Sequence, residues 1–162
     1  MSEREQFLAA WEREFEKTMK VLKAYPAGKK DLRPHPKCPD ASELAWRMVH
    51  EEKYFSEVAS SGKLEFGKTP PAPAGIAAII EEYAKNHTGN VAKIRKMSEG
   101  DFNQTMKFMV GPNRMDDVRR ADILWLMMMD TVHHRGQFSI YLRMADGKVP
   151  SIYGPSADEP WM

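Results

Sequence analysis

Asp130, His133 and His134 stand together in the run Ile123-Leu-Trp-Leu-Met-Met-Met-Asp-Thr-Val-His-His-Arg-Gly-Gln137, which turns abruptly from apolar side chains to acid, imidazole and guanidinium. On a helix, Asp130 and His134 lie one turn apart on a single face. Ile123, Leu126, Met127, Tyr141 and Met144 share that face, so the pair is expected on a core-facing stripe. An acid and an imidazole inside such a stripe cost free energy unless satisfied, and a divalent cation would satisfy both. A hydrogen bond between the two, without metal, is the simpler alternative. His50, in Trp46-Arg-Met-Val-His-Glu-Glu52, adds an imidazole from a separate stretch, in line with Trp46 and Tyr54 one turn either side. The candidate ligands are therefore Asp130, His133, His134 and His50. A His/Asp/His set leaves a coordination position open to water or substrate, as catalytic sites do. Nitrogen and oxygen donors suit Zn, Ni, Fe or Mn.

Other reactive groups are fewer. His87 falls on the apolar face of its own helical stretch, either as a core histidine or as part of a site wall. Arg135 offers a guanidinium to an acid of the chain or to an anionic substrate. Cys38, the only cysteine, sits in a proline-rich loop near His35 and is expected as a small buried side chain. No glycine loop for phosphate, no nucleophile elbow and no CxxC pair occurs.

The elements that must position these groups are helices. Leu8, Trp11, Phe15, Met19 and Leu22 predict a first helix over Ser2 to Ala24, with Ser2 and Glu5 as a capping box. A loop with Pro34, Pro36 and Pro39 precedes a second helix from about Asp40–Ser42 to Ser60, whose stripe is Leu44, Met48, Phe55 and Val58. A loop over 63–73 leads to a third helix from Ala74 to Ser98. From Asp101 to Met115 the apolar period changes to two, predicting an extended crossover or short strand. The fourth helix is expected from Asp116 to Ala145, with Asp116 and Asp117 at the positive end of its dipole. The tail from Ser151 is expected to pack outside. This is an all-α chain, a four-helix bundle with a long crossover between helices three and four.

At 162 residues the chain is expected to be one domain over 1–162. A net charge of +1 gives no footprint for nucleic acid or an anionic membrane. A lone cysteine and a charged start without a signal-peptide core point to the cytoplasm. Twelve methionines suit adaptable core packing.

The sequence resembles the DinB/YfiT-like superfamily of bacterial four-helix proteins. The resemblance rests on His50 in its Trp46–Glu52 setting, on Asp130-Thr-Val-His-His-Arg-Gly-Gln137, on Tyr141-Leu-Arg and on Pro150-Ser-Ile-Tyr-Gly-Pro-Ser. It implies a homodimer and a metal triad of His50, Asp130 and His134, with Zn or Ni foremost and Fe or Mn as further choices. The commonest pattern has histidine at the middle position; related thiol-dependent isomerases carry an acid there. His133, His87, Arg135 and Tyr54 would lie around the site. Characterised relatives are metal-dependent transferases and isomerases that use low-molecular-weight thiols, so a small-molecule substrate and a role in detoxification or stress response are implied. The alternative is a non-catalytic dimeric binding protein with a weak or empty site.

Overall fold

Two capping boxes set the first two helices. Ser2 accepts from the Glu5 amide while Glu5 reaches back to the Ser2 amide, and Asp40 and Glu43 repeat the exchange. In the computed structural model, which describes residues 1–64 and 69–162, these caps open α1 (Glu3–Ala24) and α2 (Ala41–Ser60). α3 (Ile76–Lys96), the short α4 (Glu99–Asn103), a hairpin of β1 (Thr105–Gly111) and β2 (Arg114–Arg119), and α5 (Arg120–Met144) follow. The chain is thus mostly helical with one small antiparallel sheet. The loop expected over 63–73 falls in part on residues 65–68, outside the described residues. Among the described residues, no helix is long and apolar enough to cross a membrane.

α1 packs against α3 and α5, and α2 packs against the same two. Side-chain bonds give their directions. Arg4 bonds the Arg95 and Met97 carbonyls, so α1 and α3 run oppositely. Tyr141 donates to the Pro39 carbonyl and Thr131 to Glu51, so α2 and α5 also run oppositely. Glu52 meets Asn90 and Ser56 meets Lys93, so α2 and α3 run the same way. The end of α2 and the start of α3 therefore lie at opposite ends of this pair.

The segment between α3 and α5 differs from the expectation in detail. A turn of helix comes first, and the period-two stretch pairs with residues assigned by the sequence to the next helix. Phe108 stands opposite Asp116 and Met109 opposite Met115, with an irregularity before Gly111. Asp117 pairs with Lys107 across the hairpin at 2.9 Å instead of capping a helix. α5 begins four residues later than expected, at Arg120, where Asp122 supplies the first-turn acid.

The core has two halves. One gathers Phe7, Trp11, Phe55, Ile94, Phe102 and Leu124. The other gathers Leu22, Leu44, Met48, Tyr83, Phe138 and Leu142. Between them lies a layer of buried polar side chains, in which every long helix takes part: Thr18, Glu51, Glu52, His87, Asn90, Thr131, His134 and Arg135. Buried polar groups demand partners, and this layer is where the candidate chemistry sits.

Candidate metal centre

The structure brings Asp130 and His134 together and sets Glu51, not His50, beside them. One donor atom from each of Glu51, Asp130 and His134 lies within 4.8 Å of the other two. His134 Nε2 is 3.4 Å from Glu51 Oε1 and 3.6 Å from Asp130 Oδ2. Four ligands bonded at about 2.1 Å in a tetrahedron stand roughly 3.4 Å apart, so the donors are spaced for one cation with little rearrangement. Two carboxylates and an imidazole are also donors of a type that divalent ions accept.

Neighbouring groups orient these ligands. Thr131 Oγ1 donates to Glu51 Oε2 at 3.2 Å, leaving Oε1 for the site. His134 Nδ1 lies 3.3 Å from Gln137 Oε1, which turns Nε2 toward the two carboxylates. Without a cation, burial pushes the Glu51 carboxyl above its usual range. The hydrogen bond to Glu51 raises the His134 imidazole in turn. A cation at this spacing would compete with protons for both groups.

Asp130 departs from expectation. Its side chain is 52% exposed, whereas that of His134 is 11% exposed, because α5 buries Ile123, Met127, Tyr141 and their neighbours and turns Leu126 and Met144 outward with Met129 and Ile140. The triad therefore sits at the edge of the core, with one wet ligand. Above it opens a pocket of about 480 Å³ walled by Tyr54, Phe108, Leu126, Met129 and His133. His133 lies outside the triad and bonds Gln137 Nε2 at 2.9 Å.

His50 faces elsewhere. It lines the groove between α2 and α3, its ring 6.1 Å from Trp46 and 5.7 Å from Tyr54, and burial lowers its pKa. His87 is a core histidine, stacked on Phe15 at 3.9 Å and 3.3 Å from Glu52 through Nδ1. Arg135 pairs within the chain. Only 2% exposed, it donates to the Glu14 carbonyl and carboxylate, to Thr18 and to the Tyr153 hydroxyl. Cys38 is half-buried.

Glu51 carried a signal in the sequence. Leu44, Met48, Phe55 and Val58 leave a one-turn gap in their stripe, and Glu51 fills it. An acid at a core-facing position of an amphipathic helix is the buried polar group that needs an explanation.

The chain belongs to the DinB family, whose match covers residues 1–161. It is similar to a DinB-like protein from Bacillus cereus ATCC 10987, with a TM-score of 0.72 and 25% identity over 92% of this chain and 97% of that one. A second DinB-like protein, YjoA from Bacillus subtilis, shares the fold at a TM-score of 0.68 and 16% identity, covering 91% of this chain and 97% of its own. Among curated sequences, the uncharacterized protein YrdA of Bacillus subtilis (strain 168) is 23% identical over 157 residues, 94% of this chain and 89% of that protein.

Proposed function

We propose that this DinB-family protein is a metal-dependent enzyme, with Glu51, Asp130 and His134 holding one divalent cation beneath an apolar pocket. The observation that carries the reading is the triad itself: three ionisable donors from two helices, spaced for one ion, each of the two buried ones held by a hydrogen-bonding neighbour. We read the four long helices as one bundle that fixes this geometry. Zn or Ni is the favoured ion.

When bound, the ion would lower the pKa of a water or thiol at its open position. The chain's own residues do the rest. Glu51 and Asp130 bring the negative charge that offsets the cation, and His134 a neutral donor. Phe108, Leu126 and Met129 seat the apolar body of a small electrophile and keep water from that side. The reaction class we put forward is transfer of a low-molecular-weight thiol to such an electrophile, in detoxification or stress response in the cytoplasm. Ile140 and Met144, exposed one turn apart on α5 and outside the pocket, support a homodimer in which a second copy covers them.

A second reading is a dimeric binding protein with a weak site, favoured by the exposure of Asp130. Metal analysis of protein purified without a histidine tag tests the first. About one equivalent per chain is expected; less than about 0.1 equivalent after zinc or nickel is supplied would refute it. With metal present, no turnover across a panel of thiols and apolar electrophiles would favour the second.

A further inference from the structure

Gln137 lies three residues after His134 and four after His133, so on α5 its side chain reaches back over both imidazoles. The two ends of its amide are divided between them. The oxygen Oε1 stands 3.3 Å from His134 Nδ1, and the nitrogen Nε2 stands 2.9 Å from His133 Nε2. An amide oxygen only accepts and an amide nitrogen only donates. In this amide orientation His134 carries a hydrogen on Nδ1, and His133 presents a lone pair at Nε2.

The hydrogen bond made by one ring nitrogen decides what the other can do. With Nδ1–H committed to Gln137, His134 can turn an Nε2 lone pair toward Glu51 and Asp130. With Nε2 accepting from Gln137, neutral His133 keeps its hydrogen on Nδ1. The opposite amide orientation would reverse both. The amide nitrogen would then require a lone pair at His134 Nδ1 and drive that ring's hydrogen onto Nε2, between the carboxylates, where it excludes a cation.

We propose that Gln137 is a positioning residue that fixes the tautomers of His134 and His133 together, so that the site able to take a cation at His134 Nε2 also presents His133 Nδ1–H as a hydrogen-bond donor to the ligand. This rests on the metal reading above and deepens it. His133 forms part of the wall of the apolar pocket above the triad. The ligand class it selects has an apolar body and an acceptor close to the reacting atom, a carbonyl oxygen or a thiolate sulfur, rather than a donor such as an ammonium. The spacing of His-His-Arg-Gly-Gln is what the relay requires: two rings side by side and one amide a turn later.

The test uses the full chain, zinc as the probe, and long-range ¹⁵N NMR to read which ring nitrogen of each histidine bears hydrogen. Zinc binding to the wild-type protein is measured first. In the zinc-loaded protein, His134 should show hydrogen on Nδ1 and His133 hydrogen on Nδ1. Gln137→Glu offers acceptors to both rings, so His134 should be unchanged and zinc retained, while the His133 hydrogen moves to Nε2. Gln137→Leu removes both bonds, and zinc affinity should fall about 10–100-fold, the usual effect of losing a group that orients a metal ligand. Gln137 is exposed, and thermal melts of both variants check that they fold. No zinc binding by the wild-type protein would overturn the metal centre and the relay together. Zinc binding with the His133 hydrogen already on Nε2, or unmoved by Gln137→Glu, would overturn the relay alone.

Discussion

Replacing Glu51 by Gln should have opposite effects on the empty and the loaded protein. The carboxylate is 11% exposed in its side chain, and burial raises its pKa, so folding disfavours its charge. Gln has the same shape and keeps an oxygen to accept from Thr131. The metal-free variant should therefore melt at or above the wild-type temperature. Adding metal separates the two. At about 100 times the dissociation constant, a ligand that binds only the folded state stabilises it by about 2.7 kcal/mol. For a chain of this size that is roughly 5–10 °C in Tm. Loss of one of three ligands should weaken binding by about 100-fold or more, since groups one shell further out already cost 10–100-fold. The same metal concentration then gives about 0.4 kcal/mol, a shift below roughly 2 °C. Differential scanning fluorimetry with and without zinc reads both numbers. A variant that keeps the full metal-induced rise would show that Glu51 is not a ligand. A large drop in the metal-free Tm would show that its charge is structurally required.

His50→Ala should leave zinc affinity within about twofold by calorimetric titration, because the ring faces the α2–α3 groove; loss of binding would return His50 to the ligand set. Glu51 and His134 both have folded pKa values raised above their ordinary 4.5 and 6.5, so the unfolded chain holds fewer protons in that window. Their contribution to metal-free stability should fall as pH rises through the raised values, while the metal-induced rise in Tm grows over the same range, since ligation needs both groups deprotonated. Thermal melts from about pH 5 to 8 check both slopes. Arg135→Ala removes a buried guanidinium that bonds Glu14, Thr18 and Tyr153, while Lys17 still pairs with Glu14, and should cost about 1.5–3 kcal/mol in urea unfolding. Gly147→Ala would place a Cβ 2.2 Å from Leu142 Cδ1 and 3.2 Å from the Leu142 carbonyl, and should cost about 1–3 kcal/mol by the same measurement.

Local rules carried the sequence a long way where they met no competition. Ser2 with Glu5 marked the capping box of α1, and the four-residue spacing of Asp130 and His134 placed two site groups on one turn. The hairpin was hidden because β2 has no apolar alternation, reading Arg-Met-Asp-Asp-Val-Arg with most of its side chains exposed. Its acids looked like a helix start, and only pairing with β1, a tertiary event, revealed them as strand residues. The choice between His50 and Glu51 was harder still. Adjacent helix positions differ by about 100° around the axis, so the roll of α2 decides which of them meets α5. That roll is set by the packing of Leu44, Ala45, Met48 and Phe55, which are buried to 1% exposure or less. The row of outward apolar residues on α5 misled for the same reason: periodicity locates a stripe but does not say which edge of it is covered.

The bonds of Arg135 and Tyr153 to Glu14 join positions 121 and 139 residues apart in the chain. α1 (Glu3–Ala24) leaves the ribosome well before its neighbour α5 (Arg120–Met144). Until α5 follows, the Glu14 and Thr18 positions face the gap that the Arg135 side chain will fill. Sealing of the polar layer is thus postponed until α5 is made. A truncated product lacking the last forty residues would have no α5 to seal the polar layer and should be a ready substrate for quality-control proteases.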